Sequence, residues 1–76
     1  MEDLFSTQLD VNHQNITYHV IFDKERYTFI PQGAKTAVEP FSFVREQDEW
    51  HVTELLDPTL KAQAIEALDR YLFRQH

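Results

Sequence analysis

Ile16, Tyr18, Val20 and Phe22 set an apolar side chain at every second position, and Tyr27 and Phe29 resume the pattern after Asp23-Lys24-Glu25-Arg26. A period of two puts these residues on one face of an extended chain, as a half-buried strand requires. Phe5, Thr7, Leu9 and Val11 alternate in the same way ahead of them. Residues 41–54 repeat the pattern, and from 58 to 75 the period becomes helical. A chain that reads as strands followed by one helix points to an α+β fold.

The alternation also proposes pairing. A loop over Asp23–Arg26 sets Phe22 opposite Tyr27 and Val20 opposite Phe29, with both pairs on one face. A four-residue loop over Asn12–Asn15 sets Val11 opposite Ile16 and Leu9 opposite Tyr18. A loop over Glu46–Glu49 sets Arg45 opposite Trp50 and Phe43 opposite Val52. Arg45 over the indole would add a cation–π contact worth roughly 0.5–1 kcal/mol. A two-residue turn keeps the third register but needs φ > 0 at Gln47 and Asp48, where Asn-Gly is usual. None of the three loops holds glycine, so the expectation is longer loops built on type I turns. Residues 32–39, between Pro31 and Pro40 and carrying the one glycine, read as a connecting loop. The pattern leaves strand order between 4–31 and 41–54 open.

The helix has a start signal. Asp57 suits the N-cap, and Pro58 suits the first helical position, where its missing N–H costs nothing. Leu60, Ala64, Ala67, Leu68, Tyr71 and Leu72 form one stripe, with Ile65 at its edge and Gln63, Glu66, Arg70 and Arg74 opposite. A helix of this length spans about 25 Å, enough to cross a sheet face. The expected architecture is one domain over 1–76. It is a single antiparallel β-meander of about five strands with the C-terminal helix packed on its aromatic face. Its expected core is Phe5, Tyr18, Val20, Phe22, Phe29, Phe43, Trp50, Val52, Leu60, Leu68 and Leu72.

The tail Trp50-His51-Val52-Thr53, then Asp57-Pro58, then Leu60 to Leu72, resembles short uncharacterised bacterial proteins built of antiparallel strands and a final helix. That resemblance implies a fold and no activity.

Composition narrows the function. Thirteen acidic against seven basic residues give a net charge of −6. That balance disfavours nucleic acid and anionic membranes, which attract clustered Lys and Arg. No apolar run approaches the roughly 20 residues of a transmembrane helix, and the start Met1-Glu2-Asp3 lacks the basic charge of a signal peptide. The expectation is a cytoplasmic protein, in which Asn15-Ile16-Thr17 is no glycosylation site. With no cysteine, a thiol nucleophile and a cysteine-ligated zinc site are excluded. Ser6 and Ser42 lie on strands, without the glycine-flanked elbow of a hydrolase. Glu46-Gln47-Asp48-Glu49 lacks the spacing of a calcium loop. No cofactor is expected.

The remaining candidate surface is the sheet face away from the helix, with the 32–39 loop as the runner-up, since it is longer than joining two strands requires. That face collects Ser6, Gln8, Thr17, His19, Ile21, Thr28, Ile30, Ser42, Val44, His51 and Thr53. Ile21, Ile30 and Val44 are large and apolar with no second layer over them. With Thr28, His19 and His51 they mark a partner-binding patch, for a protein partner or a second copy. The leading expectation is therefore a non-catalytic interaction module using this open face. The alternative is a metal- or small-ligand-binding protein, conceivably an enzyme, centred on His19 and His51, since two imidazoles and a carboxylate leave an open position on zinc. Of the other histidines, His13 lies in a turn and His76 ends the chain.

Overall fold

A computed structural model of the chain describes residues 2–33 and 39–74. Its elements are β1 (Glu2–Val11), β2 (Gln14–Asp23), β3 (Arg26–Pro31), β4 (Phe41–Glu46), β5 (Glu49–Val52) and α1 (Pro58–Arg74). The strands form one antiparallel sheet in the order β1-β2-β3-β4-β5, so the open question of strand order resolves into a meander. Most of the 32–39 connection, residues 34–38, and the end of the expected helix at 75 lie outside the described residues.

The second and third hairpins keep the expected register: Phe22 pairs with Tyr27, Val20 with Phe29, Arg45 with Trp50 and Phe43 with Val52. Their turns are shorter than expected. Lys24-Glu25, Gln47-Asp48 and, in the first hairpin, Asn12-His13 all carry positive φ, between 50° and 66°. Two-residue turns of this hand match the right-handed twist of the flanking strands. That match, together with the extra pairs Asp23–Arg26 and Glu46–Glu49, holds left-handed backbone at residues other than glycine. In the first hairpin the tighter turn slides the register by two residues. Leu9 faces Ile16 and Thr7 faces Tyr18, in place of Leu9 facing Tyr18. A slip of two preserves which face each side chain occupies.

Beyond Phe5 the pairing of β1 shifts at a bulge, with Asp3 opposite Ile21 and Phe5 opposite Val20. The extra residue, Leu4, packs against the core although strict alternation would turn it outward.

The core lies between the sheet and α1. Tyr18, Val20, Phe29, Phe43, Ala64 and Leu68 are fully buried, joined by Leu9, Ile16, Phe41 and Leu60. Leu9, Ile16, Phe41 and Ala64 thus belong to the core beside the expected residues. Phe5, Trp50 and Val52 are half-buried against it, while Phe22 and Leu72 are half-buried at its margin. Phe29 stacks on its cross-strand partner Phe41 with centroids 4.9 Å apart.

Asp57 caps the helix as expected, its Oδ2 accepting from the N–H groups of Thr59 at 3.0 Å and Leu60 at 3.3 Å. Side chains on both flanks of α1 then fix it to the two sheet edges. On the β1 side Tyr71 stacks on Phe5, with centroids 4.7 Å apart. The Gln63 amide also brackets the Asp10 backbone there, accepting from its N–H at 2.9 Å and donating to its C=O at 3.0 Å. On the β5 side Asp69 accepts from the Trp50 indole. Gln63 therefore faces the sheet edge, not the solvent side where the stripe alone placed it.

Candidate functional site

The face of the sheet away from α1 holds the candidate residues, in rows set by cross-strand pairing. Ser6, His19 and Ile30 form one row. Asp3, Ile21, Thr28 and Ser42 form the next. Val44 and His51 pair at the far edge. Five of the six partner-binding candidates are therefore linked through neighbouring rows of β2, β3 and β4, whereas His51 sits on β5.

Three strand spacings of about 4.8 Å separate the strands of His19 and His51, before any offset along them. One metal ion, with bonds of about 2 Å, does not bridge that gap. Each imidazole has a different neighbour. His51 Nε2 lies 3.9 Å from Glu49 Oε2. His19 Nε2 lies 3.1 Å from Asp3 Oδ1, and its Nδ1 lies 3.2 Å from Ser6 Oγ. A carboxylate only accepts, so Nε2 carries the proton toward Asp3 and, in the neutral ring, Nδ1 accepts from the Ser6 hydroxyl. Among the described residues no group of three or more His, Asp or Glu is placed to hold a metal ion.

Ser6, His19 and Asp3 are connected in the order of a nucleophile, base and carboxylate. Acyl transfer also needs donors aimed at the developing oxyanion. An antiparallel sheet directs its N–H groups within its own plane, while Ser6 Oγ stands off the face. The row instead laces β1 to β2 beside the Leu4 bulge.

The apolar patch differs from expectation. Ile21 is only 7% exposed, flanked on its face by its cross-strand neighbours Asp3 and Thr28. Ile30 and Val44 are half-buried and lie in separate rows. The feature the rows create is a depression of about 470 Å3 over Ile21, Thr28 and Ser42, rimmed by Asp23, Lys24 and Arg26. Thr28 Oγ1 and Ser42 Oγ are hydrogen-bonded to each other at 2.9 Å in its floor. The Ser42 N–H donates to Glu54 at 3.0 Å, and the Ser42 carbonyl accepts from the Thr53 N–H at 3.2 Å. The alternation hides this charged rim, because a four-residue loop takes Asp23 and Arg26 out of the strands. The two-residue turn makes them a cross-strand pair on the open face.

A larger cleft of about 550 Å3 lies between Asp10–His13 and the start of α1. Its helix-terminal donors at Thr59 and Leu60 are already taken by Asp57.

Comparison with protein-family models, with curated proteins and with solved structures finds no match to this chain.

Proposed function

We propose that the chain is a small, non-catalytic protein-interaction module whose working surface is the open sheet face, centred on the depression over Ile21, Thr28 and Ser42. The observation that carries this reading is the way the face is finished. Several of its polar groups are bonded to one another, through Thr28–Ser42 and through Ser6–His19–Asp3, which lowers the cost of covering them with a partner. The floor combines the Ile21 side chain with the Thr28–Ser42 hydroxyl pair inside a charged rim, and interfaces carry such a polar rim around a less charged centre. Lys24 and Arg26 bring positive charge to that rim on a chain of net charge −6. The partner chemistry that fits is an apolar side chain flanked by a carboxylate.

The test places a photo-crosslinking residue at Thr28 and, as a control, at Ala62, exposed on the solvent side of α1. A protein captured from Thr28 and not from Ala62 is then purified and its affinity measured directly. Thr28→Glu, which fills the depression and repels the partner's carboxylate, is expected to weaken that binding at least about tenfold, or 1.4 kcal/mol. Equal capture from both positions, or an affinity untouched by Thr28→Glu, would overturn the proposal.

A further inference from the structure

β1 is a ten-residue edge strand, and its middle lacks the devices that keep natural edges from pairing. The stretch Phe5-Ser6-Thr7-Gln8-Leu9 has no charge and no proline. Its backbone has two directions. The pair that closes a two-residue hairpin exchanges both hydrogen bonds, so Val11, Leu9 and Thr7 spend their N–H and C=O groups on β2. The alternate residues Asp10, Gln8 and Ser6 direct theirs away from the sheet. Asp10 shows the consequence, since the Gln63 amide occupies both of its groups as a neighbouring strand would. The outward backbone groups of Ser6 and Gln8 have no such partner among the described residues. The Leu4 bulge ends the regular edge on one side, and Gln63 closes it on the other. What remains is symmetric about Thr7.

We propose that this edge is an interface with a second copy of the chain, β1 pairing antiparallel with β1 about a two-fold axis at Thr7. Ser6 then exchanges two backbone hydrogen bonds with Gln8 of the partner subunit, and Gln8 exchanges two with Ser6 of the partner subunit. Thr7 meets its own counterpart in a non-hydrogen-bonded pair, a favourable cross-strand combination. Symmetry supports a second copy as the occupant, since the free edge offers the same two outward residues, Ser6 and Gln8, on either side of Thr7. A cleft of about 250 Å3 lies beside the edge, between β1 and α1. Ala67 lines the middle of the same cleft with a small side chain, leaving room for the other helix. The product is a continuous ten-stranded sheet with both open faces on one side, so the interface is independent of the surface proposed above and doubles it.

Sedimentation of the wild type from about 10 μM to 1 mM is expected to show a monomer–dimer equilibrium. Gln8→Pro removes an outward N–H and no β1–β2 bond, because proline is tolerated where an edge N–H faces away from the sheet. It is expected to be monomeric with an unchanged circular dichroism spectrum. The chain has no native cysteine, so Thr7→Cys reports the axis directly. Cα atoms about 4.5 Å apart across a non-hydrogen-bonded pair are within disulfide range, and Thr7→Cys should oxidise to a covalent dimer about tenfold faster than Gln8→Cys. A wild type that stays monomeric at the highest concentration would overturn the proposal. So would a dimer that survives in folded Gln8→Pro, or equal oxidation rates at positions 7 and 8.

Discussion

The indole Nε1 of Trp50 donates to Oδ1 of Asp69 at 2.9 Å, and this bond ties the short edge strand β5 to the middle of α1. Arg45 completes the cluster, with its guanidinium 4.8 Å from the Trp50 ring centroid and 3.6 Å from the same carboxylate oxygen. The carboxylate and guanidinium are more than a third exposed, so their ion pair contributes a few tenths of a kcal/mol after solvent screening. The indole bond contributes about 1 kcal/mol. Asp69→Asn, which keeps an acceptor and removes the charge, is expected to cost a few tenths. Asp69→Ala is expected to cost about 1–1.5 kcal/mol. Urea denaturation of the two variants separates the hydrogen bond from the ion pair, and equal losses would assign the stabilisation to charge alone.

The pairing of Arg45 with Trp50 was readable from the sequence because apolar alternation fixes which residues share a face. Phe22–Tyr27 and Phe43–Val52 were readable for the same reason. Alternation says nothing about how tightly the chain turns. The first hairpin was accordingly displaced by two residues, a shift that leaves Phe5, Leu9, Ile16 and Tyr18 on the same face. The Leu4 bulge leaves no trace in the alternation, since an inserted residue looks like one more outward apolar position. Burial depth was equally hidden. The period of β2 puts Ile21 on the open face, but its flanking by Asp3 and Thr28 follows from strand pairing that one strand's period does not encode.

The turns carry a removable strain. Lys24 and Glu25 sit at φ 53° and 64°, and Gln47 and Asp48 at 51° and 64°, a region that costs side chains other than Gly and Asn about 1 kcal/mol or more. Replacing Lys24-Glu25 or Gln47-Asp48 by Asn-Gly is expected to raise stability by about 1 kcal/mol each. The effects should add, because the two turns share no partner among the described residues. Thermal melts of the two variants and their combination measure this, and a lower Tm in either would show that the turn side chains contribute more than the backbone strain they impose.

Tyr18 is fully buried, and its hydroxyl has no hydrogen-bond partner among the described residues. Burial also raises the pKa of this phenol above its ordinary value. Deleting a buried polar group that lacks a partner removes its desolvation cost, so Tyr18→Phe is expected to stabilise by about 1–3 kcal/mol. The pH dependence has a definite sign. The unfolded phenol ionises near pH 10 and the folded one only higher, so above about pH 10 the unfolded chain binds fewer protons and the wild type loses stability. The gap between Tyr18→Phe and wild type should therefore be constant below pH 9 and widen above 10. A gap that closes with rising pH would place a partner on the hydroxyl.

Gln63 and Asp10 form the remaining clamp, and its removal should be local. Gln63→Ala deletes two hydrogen bonds, at 2.9 and 3.0 Å, that satisfy the outward backbone of Asp10. Both groups are solvent-accessible once released, so water replaces the amide and the expected loss is about 1–2 kcal/mol. The more specific reading is hydrogen exchange. The Asp10 amide should lose its protection in Gln63→Ala, while those of Leu9 and Thr7, bonded into β2, keep theirs at a dilution where the chain is monomeric. Protection lost evenly along β1 would mean that Gln63 holds the whole strand in place and not the end of its edge.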